Sequence, residues 1–257
     1  MSASYLARRV ETVVTYVVTG ASDCYADLAC SDERLGPVFL QELAGTPGIV
    51  DYTLYPVLRY FRTLGEWQPE ILSDQQIDAL RDDGPPQEWP STVAPYPLNH
   101  VEDAVLRGLA ENGRRSAEEL ARAAGVSVQT VRRRIAALQA AGILSIRAVL
   151  EPALLGFPIG ALIWLKVKPG NIDTVVSSLQ ASPYVRYGAI VLGSENVVVD
   201  VRVPDRRTLY DFLNASDWAP LAEAAEASMI LSALKQSDIL LDQGPPVSWA
   251  TPDRSLR

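Results

Sequence analysis

The residues that follow Ser127 include side chains suited to reading nucleic acid bases. Glutamine and arginine can form paired hydrogen bonds with adenine and guanine edges, whereas threonine and additional arginines suit phosphate oxygens. If Ser127 caps a helix, Gln129 and Arg133 lie opposite its apolar stripe. The predicted DNA contacts are Ser127, Gln129, Thr130, Arg132, Arg133 and Arg134.

Three capped helices are predicted around this run. Capping boxes, in which a side chain at the helix start and a glutamate three residues later bond each other's backbone, begin at Asn99 and Ser116. Gly125 supplies a residue that can adopt positive φ before the third helix, and Gly142 ends that helix. With apolar residues at helical spacing, this pattern predicts a helix-turn-helix unit over residues 98–150.

Charge is unevenly distributed along the chain. The 257 residues carry a formal net charge of −8. Between Arg114 and Arg147, seven arginines and two glutamates give a local charge of +5, so the remaining residues carry −13. A basic module within an acidic chain is compatible with DNA binding through that module alone.

Cysteine and histidine are too scarce for an ordinary metal site. Cys24, Cys30 and His100 are the only residues of these two types. If both cysteines lie on one strand, ~20 Å separates them, which is too far for a disulfide. We therefore expect two buried structural thiols, with no metal and no cofactor.

The apolar runs are much shorter than the ~20 residues that a membrane-spanning helix needs. The N-terminus also lacks the basic and apolar regions of a secretion signal. We expect a soluble, cytoplasmic protein that does not contact a membrane.

Two pairs of similar segments argue for an internal duplication. Residues 20–23 and 193–196 both lead into an apolar run, at an offset of 173, and residues 82–89 resemble residues 242–249 at an offset of 160. The second copy, over residues 151–241, has the element order of a ferredoxin-like βαββαβ unit. Its expected strands are 161–167, 185–192, 197–203 and 228–234, and its expected helices begin at Asn171 and after Pro204.

The first copy, over residues 1–72, is incomplete. Its expected elements are strands at 13–19, 24–30 and 52–61 and a helix at 32–44, with its first strand and helix missing or reduced to residues 2–9. A short helix and Pro-rich linker (73–97) and a tail (242–257) account for the rest. The predicted fold class is α+β: a winged-type, three-helix helix-turn-helix flanked by two ferredoxin-like effector domains, the first incomplete.

An enzyme is the main rival class, and the sequence offers little for it. No Walker loop, dinucleotide fingerprint or nucleophile elbow is present. An acid pair can be imagined among Asp23, Asp27, Glu195 and Asp200, but acidic residues beside strand turns are more often solvated or capping. We predict no catalytic residues.

The helix-turn-helix region resembles the Lrp/AsnC regulators of amino-acid metabolism. The resemblance rests on LNHVEDAVL from Leu98, SAEELA from Ser116 and GVSVQTVRRRI from Gly125, and it continues to about Leu241. Residues 16–64 resemble the family's effector domain a second time. The plan is that of a tandem member that lacks its first DNA-binding unit. The resemblance implies dimerisation through the sheet domain and a response to small amino acids.

The hairpin turns are the expected effector sites. In the family this turn typically ends in an acidic residue, which Asp23 matches and Asn196 does not. Glycine allows backbone N–H groups to approach a ligand carboxylate, and Asp23 can pair with a ligand ammonium. The expected effector residues are Gly20, Asp23, Gly193, Ser194, Glu195 and Asn196. The alternative is that both segments are plain hairpin turns.

The expected function is therefore that of a transcription regulator that binds double-stranded DNA and a small amino acid or related metabolite. A single helix-turn-helix usually reads one of two half-sites, so we expect a homo-oligomer. Two alternatives stay open. One is an enzyme similar to siroheme decarboxylases, which need histidines where this chain has only His100. The other is a sensing or oligomerising protein with a vestigial DNA-binding domain.

Overall fold

The computed structural model describes residues 2–9, 11–80, 97–144, 146, 150–236 and 239–241. They form two compact units, one from residues 1–71 and 151–257 and the other from residues 72–150. The similar segments 82–89 and 242–249 and most of the Pro-rich linker lie outside the described residues, so that part of the duplication stays a prediction. Within the described residues, no helix is both long and apolar enough to cross a membrane.

The α-helices are α1 (Ser2–Arg8), α2 (Asp32–Pro37), α3 (Asp74–Leu80), α4 (His100–Glu111), α5 (Ala117–Ala124), α6 (Val128–Ala140), α7 (Ile172–Ala181) and α8 (Arg206–Ala215). The strands are β1 (Thr12–Val18), β2 (Cys24–Leu28), β3 (Val57–Arg62), β4 (Ile159–Val167), β5 (Val185–Val191), β6 (Val197–Val203), β7 (Ala222–Gln236) and β8 (Ile239–Leu240). The helix expected at 32–44 is α2 followed by a π-helix, Val38–Leu43.

The unit of residues 72–150 contains the expected helix-turn-helix. Both capping boxes form, at Asn99 and at Ser116, and Gly125 adopts a φ of +67° between α5 and α6. Val105, Val131 and Leu138 are completely buried where the three helices meet. The described residues of this unit include no strand, so the expected wing stays a prediction.

The second copy has the predicted element order β4, α7, β5, β6, α8, β7. Helices α7 and α8 cover one face of its strands, which we call the outer face, through Val175, Leu179 and Phe212. Two details differ from the sequence-based expectation. Asn171 makes no side-chain cap to α7, and β7 begins six residues before the expected Ser228. The first residues of β7 are alanine and glutamate, which are uncommon in strands and hid its start.

The first copy does not form a sheet of its own. Both copies share one antiparallel sheet, in the order β2-β1-β7-β4-β6-β5-β3 with β8 beside β7. In the second copy β4 lies between β6 and β7. The first copy lacks the equivalent strand, so β2 and β3 become the two ends of the joint sheet, while β1 pairs with β7 and β3 pairs with β5. The expected strands at 24–30 and 52–61 are shorter, as β2 and β3.

The joint sheet curls around its inner face, which is the face opposite α7 and α8. Tyr25 of β2 reaches Trp164 of β4, with ring centroids 6.1 Å apart, although two strands separate them in the sheet. Leu162, Ala189 and Val198 form the buried core of this face. The first copy therefore covers a surface that the second copy alone would leave exposed.

Candidate nucleic-acid interface and effector turns

Helix α6 presents an exposed polar surface on the side opposite its buried residues. Ser127 begins the helix and accepts a hydrogen bond from the Thr130 amide at 3.1 Å. Gln129 and Arg133 are both exposed, on the side away from Val131 and Leu138. Within the described part of the chain, neither the Gln129 amide nor the Arg133 guanidinium has a side-chain partner, so both are available to a ligand.

The two neighbouring arginines are already engaged. Arg134 lies 3.4 Å from the carboxylate of Glu102, whose side chain is only 2% exposed. Glu102 also accepts from the Asn99 backbone in the α4 capping box. Arg134 therefore neutralises a buried charge and ties α6 to α4, a role that the sequence analysis missed. Arg132 lies 3.6 Å from Glu118 and remains 71% exposed, so its pairing is weak.

Two tyrosine–aspartate hydrogen bonds join the two copies across the inner face. Tyr16 of β1 donates to Asp200 of β6 at 2.8 Å, and Tyr187 of β5 donates to Asp27 of β2 at 3.0 Å. The two aspartates occupy matching positions of the duplication. Each copy thus supplies the tyrosine of one bond and the aspartate of the other, although only the aspartates occupy matching positions.

Asp27 and Asp200, two of the residues considered as an acid pair, are each held by other side chains in this seam. Asp200 is held by Arg202, at 2.8 and 3.1 Å, as well as by Tyr16. Asp27 is held by Tyr187, and burial raises the pKa of its carboxyl group. A cavity that both carboxylates line has a water-accessible volume of about 10 Å³. That volume holds one water molecule at most, so the cavity is too small for an amino acid.

The turn at residues 193–196 is contacted by Tyr55 of the first copy. The Tyr55 ring lies against Gly193, where an added Cβ would come within 2.2 Å of it. The Tyr55 hydroxyl donates to Glu195 at 2.6 Å, and the Ser194 hydroxyl donates to the same carboxylate at 2.5 Å. These bonds lower the pKa of Glu195. Four of the six expected effector residues therefore belong to a turn that the first copy contacts, although Gly193 and Ser194 remain exposed.

Asn196 uses its side chain within the fold. Its amide oxygen accepts from the Val167 backbone at 2.9 Å, and its amide nitrogen donates to the Val167 carbonyl at 2.8 Å. This paired contact ties the start of β6 to the end of β4. An asparagine side chain can make both bonds. The acidic residue that is typical of the family at this position has no donor group, so it could make only one of them.

The turn at residues 20–23 remains open. Gly20 adopts a φ of +102° and lies against the Ser228 side chain, where an added Cβ would approach the hydroxyl to 2.9 Å. Asp23 is exposed, and its backbone carbonyl accepts from Val18 across the hairpin. The two expected effector turns therefore differ: the polar side chains of residues 194–196 are engaged in hydrogen bonds, whereas the Asp23 side chain is exposed.

The cysteines differ from the expectation of buried thiols. Cys24 and Cys30 are both free and only partly buried. Burial nevertheless raises the pKa of the Cys24 thiol to about 11. Cys24 packs beneath α1 beside Ala3 and Ala7, and this packing buries its thiol.

A family model and several known proteins match this chain. A family model described as the AsnC-type helix-turn-helix domain matches residues 103–139. The uncharacterised transcriptional regulator PH0140 of Pyrococcus horikoshii is 32% identical over 117 residues, which cover 45% of this chain and 74% of that protein. The chain belongs to the Lrp/AsnC family of transcriptional regulators. It carries an N-terminal region in addition to the parts shared with these relatives.

Other members of the Lrp/AsnC family show similar extents of matching. The regulator FL11 of Pyrococcus horikoshii is 25% identical over 142 residues, which cover 55% of this chain and 94% of that protein. The solved structure of Escherichia coli AsnC is 23% identical, covers 53% of this chain and 94% of its own, and has a TM-score of 0.48. The relatives are DNA-binding transcription regulators and not enzymes, so the decarboxylase alternative is set aside.

Proposed function

We propose that this Lrp/AsnC regulator reads its operator with Gln129 and Arg133 of α6. The observation that carries the proposal is the exposed Arg133 guanidinium, which has no partner among the described residues, on a helix whose other two arginines are engaged by Glu102 and Glu118. A free guanidinium can bond a guanine edge without first losing a partner in the protein.

The flanking residues are assigned to the DNA backbone. Ser127, Thr130 and Arg132 lie at the start of α6 and along one side of it, where phosphate contacts fix the position of a recognition helix. We assign Arg134 two roles, because its side chain is 39% exposed and is already paired with the Glu102 carboxylate. Its main contribution is to hold α6 in place for Arg133, and a phosphate contact comes second.

Regulation by a small amino acid or similar metabolite is proposed for the first-copy turn, at Gly20 and Asp23. This turn is accessible and retains its carboxylate. At the second-copy turn, Gly193, Ser194, Glu195 and Asn196 are engaged by Tyr55 or by the backbone of β4. A ligand that enters there must displace the Tyr55 ring, so we assign the second turn a structural role unless Tyr55 moves.

The domain organisation is proposed to be that of a partial ferredoxin-like unit (residues 1–72) and a ferredoxin-like unit (151–241) on either side of a DNA-binding unit (98–150). The matching positions of Asp27 and Asp200, each bonded to a tyrosine of the other copy, support this proposal. Since each chain carries one helix-turn-helix, a twofold operator requires two chains. We therefore also propose that the active form is a homo-oligomer.

The experiment is a selection of binding sites from random double-stranded DNA with the full chain, followed by binding to the selected site over a range of salt concentrations. A true regulator yields an enriched motif, and its affinity falls steeply with salt because phosphate contacts release counterions. A protein with a vestigial DNA-binding unit enriches no motif. That result would contradict the proposal that α6 reads an operator sequence.

A further inference from the structure

Ala136 lies on the same side of α6 as the two residues proposed to read bases. Gln129, Arg133 and Ala136 are spaced i, i+4 and i+7, which places all three on one face of a helix. Ala136 is exposed, and it lies ~160° around the helix axis from the buried Leu138. Its methyl group therefore belongs to the surface that Gln129 and Arg133 offer to DNA.

The chemistry of alanine restricts what this position can recognise. Its side chain has no hydrogen-bond donor or acceptor, so it cannot recognise the polar groups of a base edge. In the major groove, the apolar group that distinguishes base pairs is the C5-methyl group of thymine. An alanine packed against the polar edge of another base would bury donors or acceptors without a partner, which is unfavourable. An alanine that enters the groove here therefore favours thymine.

We propose that Ala136 is a third specificity-determining residue of α6 and that it recognises the C5-methyl group of a thymine in the operator. The inference rests on the proposed function, because it requires α6 to lie in the major groove. It adds a base type and a position to that function. Gln129 suits adenine and Arg133 suits guanine, so Ala136 completes a row of contacts with three different bases.

The rise of an α-helix gives the order of these contacts along the operator. Gln129 lies ~6 Å before Arg133 along the helix axis, and Ala136 lies ~4.5 Å after it. For a helix that follows the major groove, the three residues span ~10 Å, the length of about three base-pair steps. We therefore expect each half-site to contain the guanine between the adenine and the thymine, all within about four base pairs.

The neighbouring side chains leave Ala136 accessible. Arg132, one turn before it, lies 3.6 Å from Glu118 of α5 and is therefore drawn to the side of the helix. Arg133 and Gln139, three residues to either side of Ala136, are both exposed. Ala136 is thus a short apolar residue between longer polar ones, so the backbone of α6 can approach the bases at this point.

The test uses binding sites selected from random double-stranded DNA with the full chain. Selection with Arg133→Ala identifies the guanine that Arg133 contacts, as the position where the preference is lost. Thymines near that guanine are then replaced one at a time by uracil, which lacks only the methyl group. We expect one thymine in each half-site at which uracil lowers the wild-type affinity about fourfold, the effect of removing one methyl group from an apolar contact.

The matched variants are Ala136→Gly and Ala137→Gly. Both remove one exposed methyl group from α6, so they weaken the helix to a similar extent. Ala137 lies ~100° around the axis from Ala136 and is not part of the row. We expect Ala136→Gly to bind the thymine and uracil duplexes equally, whereas Ala137→Gly keeps the wild-type difference at the same thymine. The ratio of the two affinities for each protein cancels effects of helix stability, and comparison between proteins cancels effects of uracil on DNA shape.

The outcomes separate this inference from the proposed function. Three results would overturn the inference and leave Arg133 as a reading residue: a motif without a thymine beside the guanine, equal wild-type affinity for all thymine and uracil duplexes, or an Ala136→Gly protein that still prefers thymine as wild type does. If no motif is enriched, or if Arg133→Ala keeps every guanine preference, the proposed function fails and the inference fails with it.

Discussion

Removing one hydroxyl group from the seam between the two copies should measurably weaken the sheet. Tyr16 and Asp200 are each 1% exposed, and their hydrogen bond is 2.8 Å long. Tyr16→Phe keeps the ring and leaves no large cavity, so its cost is mainly that of one hydrogen bond to a charged group, about 2 kcal/mol. Arg202 still holds Asp200, which keeps the cost from being larger.

The assay is urea unfolding followed by tryptophan fluorescence. Trp67, Trp164 and Trp218 lie in the sheet unit, whereas the helix-turn-helix at residues 98–150 contains no tryptophan, so the change in fluorescence from these three residues follows the sheet. Tyr210→Phe is the control, because that side chain is on α8 and 66% exposed. We expect a lower transition midpoint for Tyr16→Phe and an unchanged midpoint for Tyr210→Phe. Equal midpoints for the two variants would refute the claim that this hydrogen bond joins the copies.

Two further predictions concern Asp27 and Tyr55. Because burial raises the pKa of Asp27 in the folded state, ionisation opposes folding, and this loss of stability grows as pH rises from the unfolded pKa of ~3.9 to the higher folded value. Asp27→Asn should therefore melt at a higher temperature than wild type at neutral pH, with little advantage at pH ~3, and calorimetry at the two pH values checks this. A rise in melting temperature that one of the twenty amino acids causes in wild type should disappear with Asp23→Ala, because the ligand binds at the first turn. Tyr55→Ala releases Glu195 from its hydrogen bond, and it should cause no further rise, because the second turn has a structural role; a rise that persists in the Tyr55→Ala, Asp23→Ala double variant would place a ligand at the second turn.

The DNA-binding unit was largely predictable because its signals are local. The capping boxes at Asn99 and Ser116 and the positive φ of Gly125 follow from residues no more than three positions apart. Local signals also located most of the helices and strands of the second copy. They failed at Asn171, which makes no cap because it ends a short 3-10 helix and has helical backbone angles (φ −103°, ψ −8°), whereas a capping residue is usually extended.

The joint sheet was not predictable, because strand partners are set by distant parts of the chain. The sequence indicated that the first copy lacks its first strand. It did not indicate which strands β1 and β3 would pair with. The pairing of β1 with β7 joins residues more than two hundred positions apart. Among the candidate site residues, the contact of Tyr55 with Gly193 and the ion pair of Arg134 with Glu102 are likewise long-range contacts. No pattern in the neighbouring sequence predicts these contacts.

The most direct test of the account is the discrimination that Arg133 provides between a selected operator and unrelated DNA. Arg133→Ala removes the unpaired guanidinium, and a base-reading arginine is worth ~1–3 kcal/mol on its cognate site. Arg107→Ala is the matched control, since it removes the same charge from an arginine that is paired with Asp103 on α4. The account predicts that Arg133→Ala reduces the ratio of specific to non-specific affinity by about tenfold or more, while Arg107→Ala preserves it. An unchanged ratio for Arg133→Ala would contradict the assignment of α6 as the reading helix.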